Sequence, residues 1–140
     1  MRPSGPGGYR LVEYTADTGC EVTASSFEDL ACYALKALYE IAGLKKTAYP
    51  GRSTVKSFRF RTEEKEDVLM EIIREALWLL SEKNTIITRI EPPSKGKIDV
   101  RILRKKEQLP IRVEIKALTY HGFSVTGKSG NFAAKMLFDI

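Results

Sequence analysis

Three oxygen-rich groups are the best candidates for chemistry in this sequence. Asp17 lies in Thr15-Ala16-Asp17-Thr18-Gly19, where Asp and Gly two apart are turn chemistry. Asp139 is the penultimate residue, and Ile140 brings a free α-carboxylate beside it. Clustered carboxylates repel unless a cation neutralises them, and oxygen donors suit hard ions such as Ca²⁺ or Mg²⁺. Spacing alone does not bring residues 17 and 139 together. Each also has a plainer reading: an Asp bonding its own turn backbone, and a solvated carboxylate near a chain end.

Other catalytic equipment is scarce. The one histidine, His121, sits in Thr119-Tyr120-His121-Gly122, read as a strand-to-strand turn. It either bonds backbone at that corner or serves as ligand, acid/base or partner contact. No phosphate-cradling loop, G-x-G-x-x-G or G-x-S-x-G elbow occurs. Cys20 and Cys32 cannot build a four-ligand metal site alone. They read as two small buried hydrophobes, with a disulfide as the alternative. A nucleophilic cysteine or serine would have to use His121 as its base. This scarcity argues against a metal-dependent hydrolase, which needs a general base or a metal-bound water.

The elements that must position these groups follow from periodicity. Tyr9 to Glu13 and Cys20 to Ala24 read as two strands of a hairpin-like pair, with Asp17 at its tip. Ser25 with Glu28, or Ser26 with Asp29, has capping spacing. Behind it Phe27, Leu30, Ala34, Leu38 and Ile41 recur as one face of a helix, which Gly43 ends. Thr54 to Thr62 reads as a strand with Phe58 and Phe60 on one face. Glu63, Glu64 and Glu66 open a second helix. Its stripe runs from Val68 to Leu80, and Trp78 and Leu79 widen it as in a well-buried helix. Strands are then expected at Ile86 to Ile90, Ile98 to Ile102, Ile111 to Leu118, Phe123 to Thr126 and Phe132 to Phe138. Pro50-Gly51 and Lys128 to Asn131 are turn signals. Short connections favour antiparallel pairing. The expected fold class is α+β: a two-layer sandwich with a mostly antiparallel or mixed sheet and two helices on one face.

A chain of 140 residues fits one domain. Residues 1–8 are Pro/Gly/Ser-rich and are expected to form a flexible tail before a single domain over 9–140. No apolar run approaches the roughly 20 residues a membrane span needs. No basic-then-apolar leader opens the chain, so a cytoplasmic protein is expected. The formal charge of +5 favours an anionic partner. Lys45, Lys46, Arg59, Arg61, Arg101, Arg104, Lys105, Lys106 and Arg112 are either solvated strand and loop faces or a basic surface for RNA or an RNA-loaded partner.

Three stretches together resemble the archease family. Glu13-Tyr14-Thr15-Ala16-Asp17-Thr18-Gly19 is similar to its opening motif of acidic residue, His, Thr, Ala, Asp, any residue, Gly. Glu114-Ile115-Lys116-Ala117-Leu118-Thr119-Tyr120-His121-Gly122 resembles its most distinctive segment. Leu137-Phe138-Asp139-Ile140 is similar to the family's Asp-Ile ending. The resemblance spans nearly the whole chain after the tail and implies the same two-layer α+β fold. It also implies a non-catalytic accessory protein that activates an RtcB-type RNA ligase in tRNA splicing, promoting its guanylylation and multiple turnover. RNA would be met indirectly, through the ligase. By the same resemblance Asp17 and Asp139 are metal ligands, with Ile140 contributing main-chain oxygens. The ion would be divalent, Ca²⁺ foremost, with Mg²⁺ or Mn²⁺ as alternatives. Lys116 and His121 match the family segment as candidate partner contacts. One departure matters: Tyr14 stands where the family usually has His, and Tyr cannot replace imidazole as a neutral nitrogen ligand. The alternatives are a stand-alone RNA-binding module, or a chaperone of a tRNA-modifying enzyme.

Overall fold

The computed structural model describes residues 3, 5–15, 17–44, 49–60 and 64–140. Expectations that fall on Ala16, Lys45, Lys46, Arg61, Thr62 and Glu63 lie outside these residues, as do Met1, Arg2 and Ser4 of the expected tail.

β1 (Gly7–Glu13) and β2 (Asp17–Ala24) form the expected hairpin, paired from Gly7↔Ala24 to Glu13↔Thr18. The strand starts two residues earlier than expected, because Gly7 and Gly8 take ladder partners and Gly5 N–H donates to the Asp29 carboxylate at 3.0 Å. Residues 5–8 therefore belong to the folded body rather than to the tail. α1 (Phe27–Ile41) is capped by Ser26, whose Oγ accepts from Asp29 N–H at 3.2 Å. Of the two capping pairs open in the sequence, the structure uses this one. The helix ends at Gly43, with φ +90°. Gly43 N–H donates to Glu40 O and Leu44 N–H to Tyr39 O, the paired bonds of a left-handed glycine stop.

β3 (Thr54–Arg59), α2 (Lys65–Lys83), β4 (Thr85–Ile90) and β5 (Lys97–Arg104) follow. α2 buries Val68, Leu69, Ile72, Ile73, Ala76 and Leu80 of the expected stripe together with Leu79, while Leu77, also expected on it, is half-buried. Trp78 departs from expectation: it is 45% exposed, with the Lys56 and Lys83 ammonium groups 5.6 and 5.4 Å from its ring centre. Trp78 falls off the apolar arc of the helix, so its bulk does not widen that arc. β6 (Ala117–Leu118), β7 (Ser124–Lys128) and β8 (Asn131–Asp139) complete the chain.

The strand expected over Ile111 to Leu118 survives only as β6. Its backbone donors are committed elsewhere. Ile111 N–H turns back to Leu109 O around Pro110, and Arg112 and Val113 N–H both reach Ala42 O at the end of α1. A segment that caps a helix terminus has no donors left for a ladder.

Among the described residues the strand pairs are all antiparallel and form two sheets. The first runs β1–β2–β8–β6, with β7 also on β8; the second runs β3–β5–β4. The fold is thus an α+β sandwich. Both helices lie on one face of the first sheet, α1 over β1, β2 and β8, and α2 over β6 and β7. Both also pack against β4 of the second sheet. Alternation in β8 fixes which face is which: Phe132, Ala134, Met136 and Phe138 are buried against the helices, while Lys135 and Asp139 face out.

One bond ties α1 to the second sheet. Tyr39 Oη accepts Ile87 N–H at 2.7 Å, and burial holds its phenol above the ordinary value. Tyr39→Phe leaves that buried donor without its partner. The expected cost is about 1–3 kcal/mol, read as a lower urea midpoint at unchanged m-value. An unchanged midpoint would mean that Ile87 N–H finds water.

A carboxylate corner at one end of the first sheet

Asp17 is not at the tip of the β1–β2 hairpin. Tyr14 N–H donates to Asp17 O at 2.9 Å, which closes the turn before Asp17 and makes that residue the first of β2. There its ladder partner is Asp139. Asp139 in turn pairs with Ala117 of β6. Residues 122 positions apart in the sequence therefore stand opposite each other across a single antiparallel rung. Opposed residues share a face, with Cβ atoms about 4.5–5.5 Å apart. That face is the outer one, because Phe138 beside Asp139 is fully buried. Three rungs lie in register here: Arg10–Glu21–Lys135, Val12–Gly19–Leu137 and Asp17–Asp139–Ala117. In the first, Glu21 lies between two cations and forms a 2.7 Å ion pair with Arg10. The last sets two carboxylates against each other.

The segment 116–123 wraps the same corner. Lys116 N–H donates to Asp139 O at 2.8 Å and Thr119 N–H to Leu137 O at 2.9 Å. β6 and β7 both run antiparallel to β8 along the same edge. The Thr119-Tyr120-His121-Gly122 stretch is therefore an excursion within one edge path and not a reversal between strands. His121 is exposed and accepts at its main-chain carbonyl from Thr119 Oγ1 at 2.8 Å. Gly122 adopts φ +82°, and a Cβ there would lie 2.6 Å from Leu137 Cδ1. A Cβ on Gly19 would lie 2.8 Å from Leu137 Cδ2 and 2.4 Å from Met136 O. Leu137 thus lies across two glycines, one from each motif, and only hydrogen at both positions lets it do so.

These placements bring all five expected site residues, Asp17, Lys116, His121, Asp139 and Ile140, to one corner. Of the five exposed large apolar residues among those described, three join them: Tyr14 (57%), Tyr120 (76%) and Ile140 (40%). Periodicity could not reveal this group, since each lies in a turn or at a strand end. The signal available was negative: bulky apolar residues with no place in any stripe.

The donor set is all oxygen. Among the described residues no group of three His, Cys, Asp or Glu side chains stands together. A cation here would therefore take two carboxylates and fill its shell from main-chain oxygens and water. Flexible, partly hydrated coordination of that kind fits Ca²⁺ better than Zn²⁺. The cysteines contribute nothing to such a site. Both are free and buried, and burial pushes the Cys20 thiol up to about 12 and raises that of Cys32. Neither is a thiolate near neutrality.

The family model of the Archease protein family matches residues 9–140. Protein archease of Thermotoga maritima is 30% identical over 136 residues, covering 91% of this chain and 96% of that protein. The crystal structure of a Thermotoga maritima archease superposes with a TM-score of 0.71 at 24% identity, covering 94% of this chain and 96% of that one. The solution structure of protein 1598 of Methanobacterium thermoautotrophicum gives 0.66 at 19% identity, covering 95% and 99%. Both structural likenesses bear on the fold.

Proposed function

Because the chain belongs to the archease family, we propose that it is the non-catalytic activator of an RtcB-type RNA ligase in tRNA splicing, acting through the carboxylate corner. Membership makes it an archease-type accessory protein; the ligase, the metal and the tRNA pathway are our reading. The observation that carries this reading is the Asp17–Asp139 rung. Two like charges directly opposite destabilise a sheet. Such a pair is best explained by something cationic that binds between them. A divalent ion, Ca²⁺ foremost, held by Asp17, Asp139 and a main-chain oxygen of Ile140, supplies that charge. When bound it would offer open positions to oxygens of a partner or its nucleotide. Exposed Tyr14, Tyr120 and Ile140 around the acids add apolar contact area of the kind that marks protein interfaces. Lys116 and His121 lie on the same rim as partner contacts.

The test is guanylylation of an RtcB-type ligase from the same source, followed with labelled GTP. Stoichiometric addition of this protein is expected to accelerate labelling and to permit repeated turnover. The protein alone is expected to take up no label. Absence of any acceleration would remove the ligase from the proposal.

A further inference from the structure

The positive charge of the chain is concentrated in the second sheet. Residues 49–60 and 85–106 hold ten lysines and arginines against two acids, Glu91 and Asp99. The rest of the chain holds thirteen against sixteen and is net acidic. The carboxylate corner and this sheet therefore carry opposite charge.

Strand register sets out the basic side chains in order. Arg89 pairs with Arg101, and Arg101 with Val55. One rung further Asp99 pairs with Ser57, and beyond it Lys97 pairs with Arg59. Ile98 and Val100 are fully buried, so the alternating set Lys97, Asp99 and Arg101 looks outward. The acids on this face only part-neutralise it. Arg89 contacts Glu91 at 2.9 Å and Lys97 contacts Asp99 at 3.7 Å, both exposed pairs of little worth. Arg101 holds the Ser53 hydroxyl at 3.3 Å with one guanidinium nitrogen, leaving most of its donors unused.

We propose that the outer face of β3–β5–β4 binds the phosphate backbone of an unpaired RNA segment directly. Across the sheet Arg89 and Arg101, and Arg59 and Lys97, stand about 4.8 Å apart, and along it the Asp99–Ser57 rung separates these two cationic rungs. Two paired-cation rungs on one open face suit the successive phosphates of a nucleic-acid backbone better than the isolated acids of a protein surface. A membrane surface would call for apolar insertion, and among the described residues Val55 is the one large apolar residue exposed on this face. The remaining exposed aromatic favours nucleic acid. Lys56 pairs with buried Val100, so it stands on the helix-facing side of β3, held by Glu75 and lying over Trp78; an RNA strand that rounds the β3 edge from the outer face reaches that half-exposed ring, where an unpaired base can stack. This inference rests on charge and register alone and does not depend on the ligase reading.

The experiment uses the full chain without any ligase. Anisotropy of a labelled 20-nucleotide oligouridylate is followed between 50 and 200 mM salt. Three to four neutralised phosphates predict a weakening of roughly 20–50-fold over that range. Fluorescence of Trp78, the sole tryptophan, is expected to be quenched on binding. Arg59→Gln/Arg89→Gln/Arg101→Gln is expected to weaken binding at least tenfold with unchanged melting, since these side chains are exposed. Arg89→Lys/Arg101→Lys keeps the charge and is expected to retain most of the affinity. Lys128→Gln/Lys135→Gln, on the other sheet, is expected to leave it unchanged. Three results would overturn the proposal: no binding at 50 mM salt, full binding by the triple variant, or equal competition by polyglutamate, which would assign the face to an acidic protein.

Discussion

Asp17→Ala and Asp139→Ala are each expected to abolish acceleration of ligase guanylylation while leaving the fold intact. The reasoning starts from the rung. Both carboxylates lie on the outer face of the first sheet, so neither contributes to the core. Removing one relieves repulsion that costs a sheet about 0.2–1 kcal/mol. In EDTA, then, the variants are expected to melt at or slightly above the wild-type temperature. With Ca²⁺ added the order reverses. A ligand at a hundred times its Kd stabilises the native state by about 2.7 kcal/mol, and only the wild type should gain it. Losing a mere supporting partner of a metal ligand lowers affinity about 10–100-fold, and losing one of two carboxylate ligands should cost at least that much.

The two readouts separate the metal from the role. Acceleration and Ca²⁺ stabilisation lost together tie the activator function to the cation. Acceleration that survives in both variants keeps the accessory role and assigns the cation to structure. Wild type that gains no stability from Ca²⁺, Mg²⁺ or Mn²⁺ would exclude a resident ion and leave the acids as direct partner contacts. Tyr14→His adds a nitrogen donor next to the closed turn. If it raises metal affinity, the departure from the family motif has an electrostatic meaning.

How much of this was readable beforehand can be judged from particular residues. Both helices, the caps of α1 at Ser26 and Gly43, and the strands β8 and β5 follow from patterns that local geometry enforces. Three features escaped those patterns. Ile111 to Leu118 alternates like a strand, yet the amides of Ile111, Arg112 and Val113 are drawn to Leu109 O and Ala42 O, acceptors that only the folded chain brings near. Trp78 adjoins a helical stripe, yet it sits beyond the arc that two layers can cover. Asn84 carried no stated role, yet it takes φ +49° to end α2 and its side chain bonds Lys105 O, Glu107 O and Leu109 N–H, pinning the loop after β5. Periodicity reports which face a residue shows. It does not report which distant backbone group that residue will meet. The site divides in the same way. Asp17 and Asp139 could be chosen for their chemistry, but their meeting depends on β2 and β8 being neighbours, and no local pattern specifies strand order.

That dependence makes Phe138 the residue on which the corner hangs. It is fully buried, one position before Asp139, and its ladder partners are Thr18 and Leu118. Phe138→Ala removes most of an aromatic ring from a close-packed interior. The expected loss is about 3–5 kcal/mol, a large share of the roughly 5–15 kcal/mol available to a domain of this kind. The melting temperature should fall by roughly 10–20 °C. Leu137→Ala provides the contrast: half-exposed on the outer face, it should cost much less, although it uncovers Gly19 and Gly122. A strand end is held by its last inward side chain. With Phe138 gone, the Asp17–Asp139 rung should fray before the rest of the sheet, and amide exchange at Thr18, Lys116 and Thr119 should rise ahead of that at Val22 and Ala134. Phe138→Leu, which keeps most of the volume, should restore both stability and protection. If Phe138→Ala lowers global stability without speeding local exchange, the corner is anchored from β2 rather than from β8. Cation affinity would then follow Gly19, which lets β8 approach so closely, instead of Phe138.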